Sequence, residues 1–525
     1  MIRKKNADVN KNSLEHSYRA TRVVSAGTMA SRVLGVVREQ VIAYLFGASA
    51  ITDAFIAAFR IPNLLRDLFA EGALSAAFVP SFTDLLKNRG PKAAFDLYQR
   101  VFFWICAIVG GVCILGIVFT PQIATALAAG FGKTPGKMEL TVKLARTMFP
   151  FLLFVSLAAL AMGSLNSRGR FGPPAFAPLW FNVAIIGCAF LFSRMFTQPV
   201  YSLAIGVVIG GVFQWLFQVL FLAQEGYGLG WRFALTPEVK KVFRLLLPAI
   251  GGLAAVQINI FVITRVASGL GDGPVSYLNF AFRLIFLPLG VFAVAAATVG
   301  LPRFAEKAAV GDTPGALARW RESLRLVWFL VIPTAVLFVF FGEHICRVLF
   351  ERGAFIAEHT EKTAGALAFY ALGLPGMATI RVTAPLFYAH KDTKTPVMLS
   401  FLAVVVNLAL IYILVGQMNF RGLALSIALA STAQAVGLML FVRFRYGSYQ
   451  IARLGGYFLS VSAISLITAF VCRWLLPPGD DMASAFVALG AIFVAVLLYL
   501  LITWQLKFRE TRFIFGVWKR PEKSG

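Results

Sequence analysis

The sequence predicts an all-α polytopic membrane protein. About 14 transmembrane helices are expected, in two six-helix lobes with pseudo-twofold symmetry along the membrane normal, plus two C-terminal helices. Three observations carry this. Of the 525 residues, 59% are hydrophobic and only 14% charged, where an ordinary soluble domain has roughly 25% charged residues. Apolar runs of about 20 residues recur over the whole length, each long enough to cross roughly 30 Å of hydrocarbon as a helix. Short segments also repeat at a nearly constant offset. A soluble fold would leave much of this apolar mass in water, so the composition excludes a cytosolic enzyme, a disordered chain and a secreted disulfide scaffold.

In chain order the expected helical cores are 22–46, 52–83, 101–128, 144–166, 175–193, 201–223, 243–268, 276–301, 323–342, 363–389, 396–416, 421–442, 454–476 and 484–506. The first follows a polar, basic tail, 1–20, which lacks a short apolar core followed by a small-residue cleavage site, so no cleaved signal peptide is expected. The second holds Pro62, Arg66 and Glu71, and a kink or break is expected there. The seventh contains no Asp or Glu. The expected division is a first lobe at 21–225, a second at 240–446, a helix pair at 451–508 and a tail at 509–525.

The net charge is +25. The basic residues sit in short loops between apolar runs, which is the footprint of membrane orientation and not of nucleic-acid binding. Of the 49 Lys and Arg, about 32 fall on the side that carries both termini and about 10 on the other. This threefold excess predicts that both termini are cytoplasmic.

Two parts of the chain echo each other. Ala58-Phe59-Arg60 recurs as Ala281-Phe282-Arg283, an offset of 223 residues, and Val79-Pro80-Ser81-Phe82 recurs as Leu301-Pro302-Arg303-Phe304, an offset of 222. Pro174 and Pro396 each open a span at the same offset of 222. Six spans fit in the offset, an even number, so the two halves share orientation. Transporters built this way place the substrate site between the halves. The last two spans lie outside the repeat.

The informative residues are the ionisable ones inside spans: Arg32, Arg38, Glu39, Asp53, Arg60, Arg66, Glu71, Arg265, Arg283 and Arg381. A charge facing lipid at the bilayer centre costs at least about 2.5–3.5 kcal/mol, so these should line an aqueous cavity or pair with one another. Arg60 and Arg265 are as well explained by snorkelling from span ends to the interface. Arg32 and Arg38 lie about 120° apart on the helical wheel and can share one broad face. Arg38 and Glu39 are sequence neighbours that should point apart, so no direct pair is expected. Arginines outnumber acids in the first two spans, which suits an anionic substrate; the planar guanidinium binds phosphate oxygens two at a time.

The stretch SRVLGVVREQVIAYLFGASAITDAFIAAFRIPNLLRDLFAEGALSAAFVPSF (31–82) closely resembles the MurJ/MviN family, lipid II flippases of the multidrug/oligosaccharidyl-lipid/polysaccharide exporter superfamily. NSRGRFGPPAFAP (166–178), LFERGAF (349–355) and FYAHKDTKTPV (387–397) match as well. The resemblance implies two lobes around a central cavity, with the helix pair at 451–508 forming a groove for the lipid tail. It also implies movement of an undecaprenyl-pyrophosphate-linked disaccharide-pentapeptide from the cytoplasmic to the periplasmic leaflet of the bacterial inner membrane. The family's cavity arginines fall on Arg32, Arg38, Arg66 and Arg283, and its aspartate on Asp53. Asn63, Glu71 and Arg381 complete the expected substrate-binding set. Some members coordinate sodium through an acidic residue of the seventh span; here Gln257 and Asn259 are the nearest polar candidates. Asp67 and Phe282 also depart from the family pattern.

The expected mechanism is alternating access with no covalent chemistry. No cofactor or metal is expected, only a dependence on membrane potential or an ion gradient. The partners expected are lipid II, membrane lipids and cell-wall synthesis proteins, with no nucleic acid. A drug/cation antiporter would need an acidic cavity. A flippase of another polyprenyl-diphosphate oligosaccharide is the nearest alternative, and the 31–82 block argues against it. Buried arginines would lack a purpose in a non-transporting scaffold, and no acid/base constellation inside the spans suggests an enzyme. The five cysteines (Cys106, Cys113, Cys188, Cys346, Cys472) form no CxxC pair and read as apolar packing residues. His16, His344, His359 and His390 have no ligand spacing. Gly130-Phe131-Gly132-Lys133-Thr134 looks like the end of a phosphate loop, but Leu127 stands where its first glycine is required.

Overall fold

The computed structural model describes residues 2–67, 73–228, 230–476, 479 and 481–515. Every regular element among them is helical, as the composition predicts. The chain divides into two compact units, Met1–Val275 and Ser276–Gly525.

The first unit holds α1 (Ile2–Phe46), α2 (Ala50–Arg66), α3 (Ala73–Asn88), α4 (Pro91–Val118), α5 (Thr120–Leu127), α6 (Lys137–Met148), α7 (Pro150–Ser167), α8 (Gly172–Phe192), α9 (Tyr201–Gln224) and α10 (Pro237–Ser268). The first span's helix already begins at Ile2, within the polar segment that precedes it. Phe59, Phe151 and Phe181 bring α2, α7 and α8 together, with ring centroids 5.2–6.3 Å apart. The seventh expected span, α10, packs on α3 and belongs to this unit. It is tied there by Arg60, which donates to Thr264, and by Gly130 N–H, which donates to Ser268 Oγ at 3.2 Å. The phosphate-loop-like segment is thus a packing element. A Cβ on Gly130 would stand 2.3 Å from the Ser268 carbonyl oxygen, so only glycine fits.

The second unit holds α11 (Pro274–Pro288), α12 (Ala295–Ala309), α13 (Thr313–Phe350), α14 (Ala357–Ala389), α15 (Lys394–Met418), α16 (Phe420–Tyr446), α17 (Ile451–Trp474), α18 (Met482–Gln505) and α19 (Arg509–Ile514). Its centre is α13 against α14. Trp320 and Trp328 on α13 donate their indole N–H groups to Thr383 and Thr379 on α14 at 3.2 and 2.8 Å. These bonds satisfy polar atoms that would be costly to bury alone. The helix pair α17 and α18 rests on α13 through Phe341, Ala469, Cys472, Ala488 and Ala495.

The internal repeat survives in local geometry. α2 runs through Pro62 to Arg66 and is followed by a π-type turn at Asp67; α3 is described from Ala73. Residues 68–72, with Glu71, lie outside the described residues. About 222 residues later α11 stops at Pro288, passes through a π-helical stretch at Leu289–Val294 and resumes as α12.

Among the described residues, eleven helical segments are long and apolar enough to cross a membrane, against the 14 spans expected. The other three expected spans are 22–46, 52–83 and 243–268. The first carries Arg32, Arg38 and Glu39, and the second is described only as α2 and α3, on either side of residues 68–72. The third is one continuous helix of 32 residues.

Candidate functional site

The unusual charges of the first unit gather on α1, α2 and the helices beside them. Arg38 is 8% exposed. Its guanidinium donates to Glu39 at 2.5 Å and to the side-chain oxygen of Asn182 on α8 at 3.2 Å, and lies 5.9 Å from the Phe181 ring centroid. The expectation that Arg38 and Glu39 point apart is therefore wrong. Adjacent Cβ atoms diverge by about 100° on a helix, but the arginine stem is long enough to fold back, and an unpaired Glu39 at 3% exposure would be costly. Asn182 also donates to the Ser31 carbonyl at 3.3 Å, so one α8 amide ties the turn that carries Arg32 to Arg38. Arg32 itself is half-buried on α1.

On α2, Arg66 donates through two nitrogens to one oxygen of Asp67, at 3.1 and 2.8 Å. The other Asp67 oxygen accepts from Gln257 on α10 at 3.2 Å. Asp67 and Gln257, one from each of two expected spans, are therefore in contact. Asn63 is half-buried one turn before Arg66.

Asp53 has a different setting. It is fully buried, and one of its oxygens accepts from Lys137 Nζ at 2.9 Å and from the Gly273 backbone N–H at 2.7 Å. Lys137 also binds Asp272 at 2.8 Å and sits 4.1 Å from the Phe131 ring centroid. In this conformation Asp53 is a clamp that joins the start of α2, the start of α6 and the turn before α11. An acid in the first turn of α2 also suits the helix dipole.

In the second unit, Arg283 on α11 and Arg381 on α14 are both exposed. The sequence reading missed Asn182, Lys137 and Asp272. Asn182 had a signal, as the one amide in the otherwise apolar helix GPPAFAPLWFNVAIIGCAFLF. Lys137 and Asp272 sit at helix edges 135 residues apart and acquire meaning only through contact.

A family model described as lipid II flippase MurJ matches residues 42–503. A Burkholderia cenocepacia protein named lipid II flippase MurJ is 37% identical over 468 residues, covering 87% of this chain and 90% of that one. A solved structure described as lipid II flippase MurJ in an inward closed conformation superposes with a TM-score of 0.79 at 27% identity, covering 94% of this chain and 99% of that one. An inward-facing multidrug resistance MATE transporter of the MOP superfamily shares the fold alone, with a TM-score of 0.63 at 14% identity over 82% of this chain and 95% of that one.

Proposed function

The chain belongs to the MurJ family of lipid II flippases, and from that premise we propose how its charged helices carry the substrate. The protein is a multi-pass membrane transporter and not an enzyme. It moves the lipid-linked peptidoglycan precursor across the bacterial inner membrane by alternating access, without covalent chemistry. The threefold excess of Lys and Arg on one side supports cytoplasmic termini.

One observation supports the binding site: α1 and α2 carry Arg32, Arg38 and Arg66 in buried or half-buried settings, with Asn182 on α8 holding Arg38. Without substrate, Glu39 and Asp67 offset two of these charges, which lowers the cost of holding them in an apolar bundle. A pyrophosphate, whose charge exceeds that of one carboxylate and whose oxygens match the planar fork, can replace these carboxylates as partner of the guanidinium groups. Arg283 and Arg381 are the second unit's expected contributors. The sugar-peptide head group rides with the diphosphate while the polyprenyl tail stays in lipid.

The membrane potential supplies the return stroke. One elementary charge moved across 100 mV is worth about 2.3 kcal/mol. An empty cationic site is drawn toward the negative cytoplasmic side, and bound diphosphate removes that bias. Collapsing the potential in vesicles should leave the outward state populated. Unchanged cysteine accessibility from the periplasmic side would refute this drive.

The test of the site is complementation of a strain depleted of its own flippase, with outer-leaflet exposure of the head group measured directly. Arg38→Ala and Arg283→Ala should abolish exposure, and Arg38→Lys should retain part of it. A fully active Arg38→Ala protein at wild-type abundance would refute the assignment.

A further inference from the structure

The hold on Arg38 has two parts of different kind. Nη2 of its guanidinium donates to the carboxylate of Glu39, its neighbour on the same helix, at 2.5 Å. Nη1 donates to the side-chain oxygen of Asn182, on α8, at 3.2 Å. The first partner is an anion, and a phosphate oxygen is an acceptor of the same kind. The second is a neutral amide, which can stay in place while one anion is exchanged for another.

The amide is fixed in one orientation. Its nitrogen donates to the Ser31 carbonyl on α1 at 3.3 Å and to the Pro178 carbonyl on its own helix at 3.2 Å. A primary amide has two N–H donors, and a carbonyl can only accept. These two bonds therefore use both hydrogens and leave the oxygen to face Arg38. Asn182 is 5% exposed, so little water competes for any of the three bonds. The helices run close enough for so short a side chain to bridge them. A Cβ on Gly27 of α1 would stand 2.8 Å from the Ala175 carbonyl oxygen of α8. Ser31 comes about one turn after Gly27, and Asn182 about two turns after Ala175.

We infer that Asn182 is a positioning residue for substrate recognition. It holds Arg38 at Nη1 as a pivot while Nη2 exchanges the Glu39 carboxylate for the diphosphate. The inference rests on the reading of Arg38 as a substrate-binding residue and adds the group that aims it. Without the amide, the long arginine side chain would have to be ordered at each binding event, and affinity would fall by that entropy.

The test uses the full chain in lipid vesicles, with the rate of head-group exposure followed against lipid II content. Asn182→Ser is the first variant. A serine hydroxyl can bond back to the Pro178 carbonyl, as Thr264 bonds to Ile260, but it is too short to reach Arg38. The half-saturating lipid II content should rise about tenfold or more, with a maximal rate within about twofold of wild type. In an Arg38→Lys background the same change should add little, because the ammonium has no fork to aim. If Asn182→Ser does not accumulate as a folded species, Asn182→Asp, of the same shape, is measured in its place. It holds Nη1 with a charge that competes with the diphosphate, and should also raise the half-saturating content. An unchanged half-saturating content with Arg38→Ala inactive overturns the proposal and leaves the site reading standing. The same rise in both backgrounds also overturns it, in favour of a packing role. A fully active Arg38→Ala protein removes both readings together.

Discussion

Replacing Lys137 by Met removes the cation from the clamp around Asp53. Both side chains are almost wholly inside the protein, at 2% and 0% exposure. The substitution leaves the Asp53 carboxylate in place, with the Gly273 N–H still donating to it at 2.7 Å. Breaking a buried ion pair from one side costs about 3–5 kcal/mol, because the surviving charge keeps its desolvation penalty. The second contact, to the half-exposed Asp272, adds at most about 1 kcal/mol. The sum corresponds to roughly two to four orders of magnitude in the folded population. Thermal unfolding of the purified protein in detergent should therefore fall sharply for Lys137→Met. The double variant Asp53→Leu/Lys137→Met removes both charges and should recover most of the loss. A single variant that melts with the wild type, or a double variant as unstable as the two singles added together, would refute the view of Asp53 as an anchored clamp.

Gly373 on α14 faces the backbone of α16. A Cβ there would stand 2.4 Å from Ala428 Cα, so Gly373→Ala should cost about 1–3 kcal/mol and Gly373→Leu should prevent accumulation in the membrane, read by immunoblot. Acid should destabilise the protein through two carboxylates outside the spans. Burial alone would raise the pKa of Glu225, but the hydrogen bond from Arg170 and the charges of Arg168 and Arg170 hold it below its usual value. Burial likewise pushes Asp392 up, and the bonds from Thr395 with the Arg445 charge outweigh it. A folded-state pKa below the unfolded one stabilises fully above the ordinary carboxylate range, about 4, and that stability drains away as pH falls through the lowered values. Melting temperature against pH should therefore drop more steeply on the acid side for the wild type than for Glu225→Gln/Asp392→Asn.

The sequence by itself determined the class, the register of the spans and the sign of the substrate's charge. Apolar runs of bilayer length have few soluble alternatives, and an arginine such as Arg38 inside one advertises its cost wherever it lands. Pro62 was legible as a place where the second span loses a backbone donor, although α2 runs through it to Arg66. Contacts between distant segments were not legible. Whether Asp53 faces a cavity or Lys137 depends on how α6 docks on α2. Whether Arg38 reaches Glu39 and Asn182 depends on α8 pressing against α1. The attachment of α10 to the first unit is likewise a consequence of packing. Hydropathy is a property of local composition and survives any arrangement of the chain. The pairing of one buried charge with another is a property of tertiary structure alone, because the desolvation it offsets exists only once the helices have met.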